Sequence, residues 1–235
     1  MTQKKKLALV FGGSRGIGAA CVQALAENFD VAYTYVSSPP PAGGLKAYRV
    51  DVGEPAQVTQ AFADAARDFG SAVHCVVANA GIGVPPGPVA QFDPVNFRRL
   101  VEVNIVGAFN VLREAGQRVA DGGSIIAITT SMVRHAVPGF GPYAGSKAVV
   151  ECMVRSMAKE IAPRKVRVNA VAPGPVDTDL FRAGKTEDAK QRSAALSPFN
   201  RIGTPKEVAA VVGFLASENA SWVHGQIVQP NGGMI

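Results

Sequence analysis

Short apolar segments alternate with longer amphipathic ones along the 235-residue chain. The short segments are apolar nearly throughout, which is typical of strands buried on both faces of a parallel sheet. They are Leu7–Phe11, Val31–Val36, Ala47–Val50, Val73–Ala78, Ile125–Thr129, Val166–Val171 and Gln226–Val228. The longer segments repeat their apolar residues every three or four positions, as amphipathic helices do. They are Gly16–Phe29, Pro55–Phe69, Pro94–Val119, Tyr143–Ile161 and Lys206–Ser217.

This alternation of strand and helix predicts the fold class. We expect one α/β domain over residues 1–235, a doubly wound parallel sheet (Rossmann fold) with helices on both faces. Residues 180–205 mix apolar and charged side chains near the end of the chain. We interpret them as a lid over a substrate, although an ordinary pair of surface helices fits the same pattern.

Composition and charge narrow the class of protein. The chain is 47% hydrophobic and 18% charged, as soluble globular proteins are. It has no apolar run long enough for a signal peptide or a membrane span, so we expect a cytoplasmic protein. The net charge is +6, but the basic residues are scattered, which disfavours nucleic-acid binding. The three cysteines have neither metal-site nor redox spacing, so we predict no metal and no disulfide.

A glycine-rich turn, residues 12–18, joins the first predicted strand to the first helix. Glycines let backbone N–H groups approach a phosphate closely, and the helix N-terminus adds partial positive charge. We therefore expect this turn to hold the pyrophosphate of a dinucleotide. The residues predicted to do so are Gly12, Ser14, Arg15, Gly16, Ile17 and Gly18.

The glycine spacing is G-x-x-x-G-x-G, and here the sequence resembles the short-chain dehydrogenase/reductase family. The second strand ends without the acidic residue that would hydrogen-bond an adenosine ribose and repel a 2′-phosphate. Arg15 can instead pair with that phosphate, and Tyr35, Ser37 and Ser38 follow the strand or end it. These features favour NADP(H) and leave NAD(H) open.

Two further loops follow predicted strands at the edge where open α/β sheets bind ligands. Asp51 and Val52 follow the third strand, and residues 79–81 follow the fourth. The resemblance implies that the Asp-Val pair frames the adenine. It also implies that Asn79, Ala80 and Gly81 shape the end of the central strand.

Tyr143 and Lys147 lie four residues apart, and so on one face of a helix. Reduction of a carbonyl by hydride needs a proton for the alkoxide that forms. A nearby ammonium stabilises a phenolate, so we expect Lys147 to lower the pKa of Tyr143 and to suit it to acid and base work. Tyr-x-x-x-Lys is also the catalytic pattern of the family that the chain resembles, in which the lysine holds the nicotinamide ribose.

The resemblance extends over essentially the whole chain. It implies that Asn104 supports a proton-relay water, although a satisfied core amide is the alternative. It implies that the Pro-Gly loop after the sixth strand seats the nicotinamide, with Thr178 bonding the carboxamide. The predicted contacts there are Pro173, Gly174, Val176 and Thr178. The closing turn has Asn231 where the family more often has Asp.

The hydroxyl that would bind the substrate carbonyl is ambiguous. The family places a serine about thirteen residues before the tyrosine, and that position is Thr130 here. Ser131 fits only if the intervening loop is one residue shorter. Either hydroxyl can donate to a developing oxyanion, and we favour Ser131 narrowly for its chemistry.

The predicted activity is NADPH-dependent reduction of a ketone to a secondary alcohol. The overall pattern resembles 3-oxoacyl-(acyl-carrier-protein) reductases of fatty acid biosynthesis, and Arg164 matches one arginine that they use for the carrier protein. Those reductases have a second basic position just before the fifth strand. This chain has Asp121-Gly122-Gly123-Ser124 there and no basic residue, which weakens the acyl-carrier interpretation. The alternatives are an alcohol or sugar dehydrogenase running oxidatively, and a non-catalytic nucleotide sensor. The family implies a homo-oligomer, usually a tetramer, built through the two long helices.

Overall fold

A computed structural model describes residues 5–37 and 44–235. Over these residues the strands form one seven-stranded parallel sheet in the order β3-β2-β1-β4-β5-β6-β7. They are β1 Lys6–Phe11, β2 Phe29–Tyr35, β3 Lys46–Arg49, β4 Val73–Ala78, β5 Ser124–Ile128, β6 Arg167–Val171 and β7 Ile227–Val228. The predicted doubly wound sheet is confirmed.

Helices cover both faces of the sheet. They are α1 Gly16–Ala26, α2 Pro55–Phe69, α3 Pro94–Leu100, α4 Ala108–Arg118, α5 Gly141–Glu160, α6 Asp179–Arg182, α7 Glu187–Ala194 and α8 Pro205–Ala216. Short 3₁₀ turns are Val89–Gln91, Ser131–Val133, Ala162–Arg164 and Glu218–Ala220. The apolar side chains divide into two clusters, one under α2, α4 and α5 and one under α1 and α8.

Local sequence explains where helices start and stop. Thr204 and Glu207 form a reciprocal capping box at the start of α8, and Pro205 occupies the first turn, where its missing N–H costs nothing. Helix α2 ends at Gly70, which adopts the left-handed conformation that terminates helices. These signals fix the start of α8 and the end of α2.

Two predicted helices differ from the structure. The segment Pro94–Val119 is not one regular helix, because a π-helical segment, Val101–Gly107, separates α3 from α4. The predicted helix Gly16–Phe29 ends at Ala26, because Phe29 pairs with Lys6 and begins β2. The remaining strand and helix ends agree to within two residues.

None of the described helices combines the length and apolarity needed to cross a bilayer. The expected cytoplasmic location stays a prediction. The proposed lid contains the two short helices α6 and α7, separated by a turn at Gly184 with positive φ.

Candidate active site

The glycine turn adopts a conformation that only small residues allow. Gly12 and Gly16 have φ of 78° and 56°. The Gly12 N–H donates to the Thr34 hydroxyl at 3.1 Å, and the Asn79 amide donates to the Gly12 carbonyl at 2.8 Å. A Cβ on Gly18 would overlap that same carbonyl oxygen. The turn therefore packs directly against the end of β4.

The polar residues of the glycine turn remain available to a ligand. Arg15 precedes α1 in an extended conformation and is exposed, and its guanidinium has no partner among the residues that the structure describes. Ser14 is half-buried beside it, and Ile17 packs on the α1 side of the core. A helix N-terminus with an unpaired cation beside it suits a phosphate.

The carboxyl ends of β2 and β3 lie next to this turn. Tyr35 is half-buried, Ser37 is exposed, and the described part of the β2 end carries no acid; Ser38 lies outside the described residues. Asp51 is exposed at the end of β3 and accepts a hydrogen bond from the Gly53 N–H at 2.9 Å. Val52 is buried against Gly107. The predicted adenosine contacts therefore lie along one edge.

Helix α5 places the proposed catalytic pair at the neighbouring strand ends. Lys147 is buried, and its Nζ donates to the Ile128 carbonyl at 3.1 Å, where β5 ends. A Cβ on Gly81 would lie 3.1 Å from that Nζ and 3.2 Å from the Asn104 Oδ1. Tyr143 is half-buried one turn earlier on the same helix. Gly81 thus leaves a space in front of a buried ammonium.

Asn104 is held rigidly in the π-helical segment. Its side chain is fully buried, accepts from the Ile82 N–H at 2.9 Å and donates to the Ile82 carbonyl at 3.0 Å. It also donates to the Ser146 hydroxyl at 3.1 Å, and that hydroxyl donates to the Tyr143 carbonyl. Asn104 therefore connects the loop after β4 to the catalytic turn of α5, as well as being the satisfied core amide considered above.

The two candidate hydroxyls differ in what they bind. The Ser131 hydroxyl is buried, donates to the Ala172 carbonyl at 2.7 Å and accepts from the Asn231 amide at 3.3 Å. The Thr130 Oγ accepts from the Met132 N–H at 3.3 Å, and its own proton has no acceptor among the described groups. The geometry therefore favours Thr130 as a donor to substrate, against our narrow preference for Ser131.

Burial shifts both catalytic pKa values, and one shift is opposite to expectation. Loss of solvent raises the pKa of Tyr143 to about 12 and lowers the pKa of Lys147 to about 8. The net direction for Tyr143 is opposite to the lowered pKa that we predicted, because burial dominates. The Tyr143 phenol keeps its proton at neutral pH, which is the state that a general acid requires.

Comparisons with known proteins agree with this arrangement. A family model described as Enoyl-(Acyl carrier protein) reductase matches residues 12–235. A short-chain type dehydrogenase/reductase of Picea abies is 39% identical, covering 98% of this chain and 92% of its own. The chain belongs to the short-chain dehydrogenase/reductase family.

Other members of the family include named reductases. A chloroplastic NADPH-dependent aldehyde reductase-like protein of Arabidopsis thaliana is 38% identical over 98% of this chain and 94% of its own. Versicolorin reductase 1 of Aspergillus parasiticus is 39% identical, covering 97% of this chain and 95% of its own. A blue fluorescent protein from a metagenomic library, solved with NADPH, has a TM-score of 0.89 and 32% identity, covering 100% of this chain and 99% of its own.

The Pro-Gly loop of this short-chain dehydrogenase/reductase bridges the two halves of the site. The Pro173 carbonyl accepts from the Ser131 N–H at 2.9 Å, and Gly174 packs against the backbone of Asn231. Val176 forms a bridge with Gly203. Thr178 caps α6 through the Phe181 N–H and lies against Gly16 of the glycine turn. The loop therefore contacts both the predicted phosphate site and the predicted lid.

Inside the predicted lid, Asp177 and Arg182 anchor α6 to the Pro-Gly loop by two hydrogen bonds of 2.7 Å. Leu180 is exposed, and a Cβ on Gly83 would lie 3.1 Å from it, so α6 faces the loop after β4. An exposed apolar side chain at this mouth suits contact with an apolar part of a substrate.

Arg164 does not have the freedom that a carrier-protein contact requires. Its guanidinium donates to the Asp121 carboxylate at 2.8 Å and to the Gly116 and Val119 carbonyls at the end of α4. These bonds neutralise and hold it as a C-terminal cap of that helix. The structure thus weakens the interpretation of Arg164 as a carrier-protein residue.

Three residues of the site were missed by the sequence interpretation. Thr34 accepts from the Gly12 N–H and Ser146 accepts from the Asn104 amide, and the only sequence signal was a polar residue inside a predicted strand or helix. Arg49 lies at the end of β3 beside the carbonyl of Val36, a contact that only the strand register creates.

Proposed function

We propose that this short-chain dehydrogenase/reductase is an NADPH-dependent carbonyl reductase that converts ketones or aldehydes to alcohols. The observation that carries the proposal is the meeting of the Lys147 ammonium and the Asn104 side chain beside Gly81, with Tyr143 one turn earlier on the helix that carries Lys147. A site that only senses a nucleotide needs no such buried ammonium and adjacent phenol.

The residues present fit NADP(H). The glycine turn leads into a helix N-terminus, and a Cβ at Gly12 or Gly18 would collide with backbone or with Asn79. Arg15 is unpaired among the described residues, which suits a phosphate, and the described β2 end has no acid to repel one. The proposed contacts are the residues predicted from the sequence: the glycine turn, Tyr35, Ser37, residues 51–52 and 79–81, and the Pro-Gly loop. Bound NADPH would supply the hydride.

The chain's own residues supply the rest of the chemistry. The Tyr143 phenol donates its proton to the carbonyl oxygen of the substrate as that oxygen gains charge. The Thr130 hydroxyl donates a hydrogen bond to the same oxygen. Lys147 would hold the cofactor ribose, and Asn104 with Ser146 fixes the turn that carries Tyr143. Because burial keeps Tyr143 protonated, the phenol is in the state that proton donation to a carbonyl oxygen requires.

We infer an apolar or aromatic carbonyl compound as substrate, with the 180–205 segment as its lid. The exposed Leu180 and Phe199 and the names of the reductase relatives support this class. A 3-oxoacyl thioester on acyl carrier protein is less well supported, because Arg164 is occupied by Asp121. A Mycobacterium bovis relative named 3-oxoacyl-[acyl-carrier-protein] reductase MabA is 37% identical, covering 96% of this chain and 91% of its own, and it keeps that substrate in the test panel.

We also infer a homo-oligomer. Phe109 on α4 and Val149 on α5 are exposed, as is Trp222, which is 98% exposed. Exposed apolar side chains on paired long helices favour self-association. Light scattering coupled to size-exclusion chromatography measures the mass, and a monomer at every concentration would contradict the inference.

Turnover by the wild-type protein tests the proposed activity. NADPH or NADH is mixed with a panel of aldehydes, aromatic ketones and acetoacetyl thioester, and loss of cofactor absorbance is followed. We expect turnover with NADPH on an aromatic or aliphatic carbonyl and much slower turnover with NADH. Preferential oxidation of alcohols with NAD⁺ would contradict the proposal, and so would tight NADPH binding with no turnover on any carbonyl.

A further inference from the structure

Arg49 ends β3 and lies beside the end of β2, where an NAD-binding relative of this fold would carry an acid. Strands β2 and β3 pair in parallel with Tyr35 opposite Arg49, and the Val50 N–H bonds the Tyr35 carbonyl at 2.9 Å. The Arg49 Nε donates to the Val36 carbonyl at 3.3 Å, just past the end of β2. The strand pairing therefore holds a guanidinium at the exit of β2.

Arg49 also lies on the face of the sheet that carries the glycine turn. Along β3 alternate residues point to opposite faces. Ala47 packs in the cluster under α1, with Tyr33, whereas Tyr48 packs in the opposite cluster. Arg49 shares the face of Ala47. Gly13 contacts Tyr33 on that face, so the glycine turn with Arg15 and the side chain of Arg49 flank β2 from its two sides.

The charge of Arg49 is not neutralised. Lys46, the other cation of β3, pairs with Asp68 at 3.3 Å, but Arg49 forms no ion pair within residues 5–37 and 44–235. Its only hydrogen bond to a described residue uses Nε and is long, so both terminal nitrogens are unpaired within that part of the chain and can donate to a ligand. An exposed fork of donors suits a phosphate bound in bidentate fashion.

We propose that Arg49 binds the 2′-phosphate of the cofactor adenosine together with Arg15, and so sets the preference for NADPH over NADH. This inference rests on the proposed function, because it assumes that adenosine lies over the β2 end. It adds a specificity residue on β3 that the motif around the glycine turn does not contain.

Binding of cofactor fragments tests the role of Arg49 without turnover. Titration calorimetry compares 2′,5′-ADP with 5′-AMP on wild type, Arg49→Gln, Arg15→Gln and the double variant. Lys46→Gln is the matched control, because it removes one positive charge from the same exposed strand. We expect Arg49→Gln to weaken 2′,5′-ADP by about 10- to 100-fold, the scale of one charge-assisted bond, and to leave 5′-AMP unchanged.

The other outcomes separate this inference from the proposed function. The double variant should bind the two fragments equally, and Lys46→Gln should keep the wild-type preference. If wild type prefers 2′,5′-ADP and Arg49→Gln retains that preference in full, Arg49 is not a 2′-phosphate residue and only this inference fails. If wild type binds neither 2′,5′-ADP nor NADPH, the proposed cofactor itself is wrong. Thermal unfolding of each variant verifies folding, since Arg49 is exposed.

Discussion

The glycine turn and helix α5 build adjoining parts of one site by opposite means. The turn works by lacking side chains: at Gly12 and Gly18 backbone packs against backbone, with no room for a Cβ. Helix α5 works by burying side chains, with Lys147 and Ser146 held by bonds to β5 and to Asn104. The comparison teaches that changes in the turn should impair cofactor binding, whereas changes on α5 should impair the chemical step.

The largest effect on activity is expected from Lys147→Met, which removes the buried ammonium of helix α5. We expect kcat to fall by about 10²- to 10⁴-fold, the range for loss of a group that assists proton transfer. Lys159→Met is the matched control, because Lys159 is exposed on the same helix and should keep wild-type turnover. Steady-state kinetics with the best carbonyl substrate gives the result. Equal activity of the two variants would remove Lys147 from the mechanism.

The next effect separates Thr130 from Ser131. Thr130→Val should lower kcat/KM by about 10²- to 10³-fold, as loss of one donor to a developing oxyanion does. Ser131→Ala should leave kcat nearly unchanged and lower the free energy of unfolding by about 1–2 kcal/mol, because Asn231 loses a bonding partner. Steady-state kinetics gives kcat/KM for both variants, and urea denaturation gives their free energies of unfolding. The reverse pattern of kinetics would restore Ser131 as the substrate donor.

Gly18→Ala tests the other side of the comparison. Its Cβ would overlap the Gly12 carbonyl, so we expect weaker NADPH binding and a loss of about 1–3 kcal/mol in the free energy of unfolding. Gly213→Ala is the control. Gly213 lies inside α8, and no atom lies within 4 Å of the place where a Cβ would be. Gly213→Ala should therefore raise the free energy of unfolding by about 0.4–1 kcal/mol. Unaltered NADPH affinity in Gly18→Ala would mean that the turn does not hold the cofactor.

The smallest effect is a pH dependence of stability. Burial lowers the pKa of Lys147 to about 8 from 10.5, so the folded state disfavours its charged form. That cost is complete below the folded pKa and disappears as pH rises toward the unfolded pKa. Lys147→Met should therefore be more stable than wild type near neutral pH, and its advantage should shrink between about pH 8 and 10.

Denaturant unfolding of both proteins across that range measures the effect. The test is how the difference in free energy of unfolding between Lys147→Met and wild type changes with pH. The lost hydrogen bond to Ile128 adds only a constant to that difference. A difference in stability that stays flat with pH would show that Lys147 is not titrating with a lowered pKa.

The sequence predicted the sheet well because its strands are buried on both faces and so are apolar throughout, as in β1 and β5. The π-helical segment around Asn104 could not be predicted, because its wider turns hardly change the spacing of apolar residues. The glycine turn and the Tyr143–Lys147 pair were predictable because their chemistry depends on local spacing.

Features that depend on tertiary contacts were out of reach. Thr130 and Ser131 are adjacent, and only the packing of Ala172 and Asn231 against the serine distinguishes them. Arg49 meets the end of β2 only through strand register. The raised pKa of Tyr143 follows from burial, which a helical spacing of Tyr and Lys does not reveal.

Tyr143→Phe tests the central claim most directly, with NADPH affinity and turnover measured on the same sample. The substitution removes one hydroxyl from the end of the ring. We predict NADPH binding equal to wild type, followed by fluorescence, together with kcat lowered by about 10²- to 10⁴-fold. Full turnover by Tyr143→Phe would contradict the account, because some other group would then supply the proton.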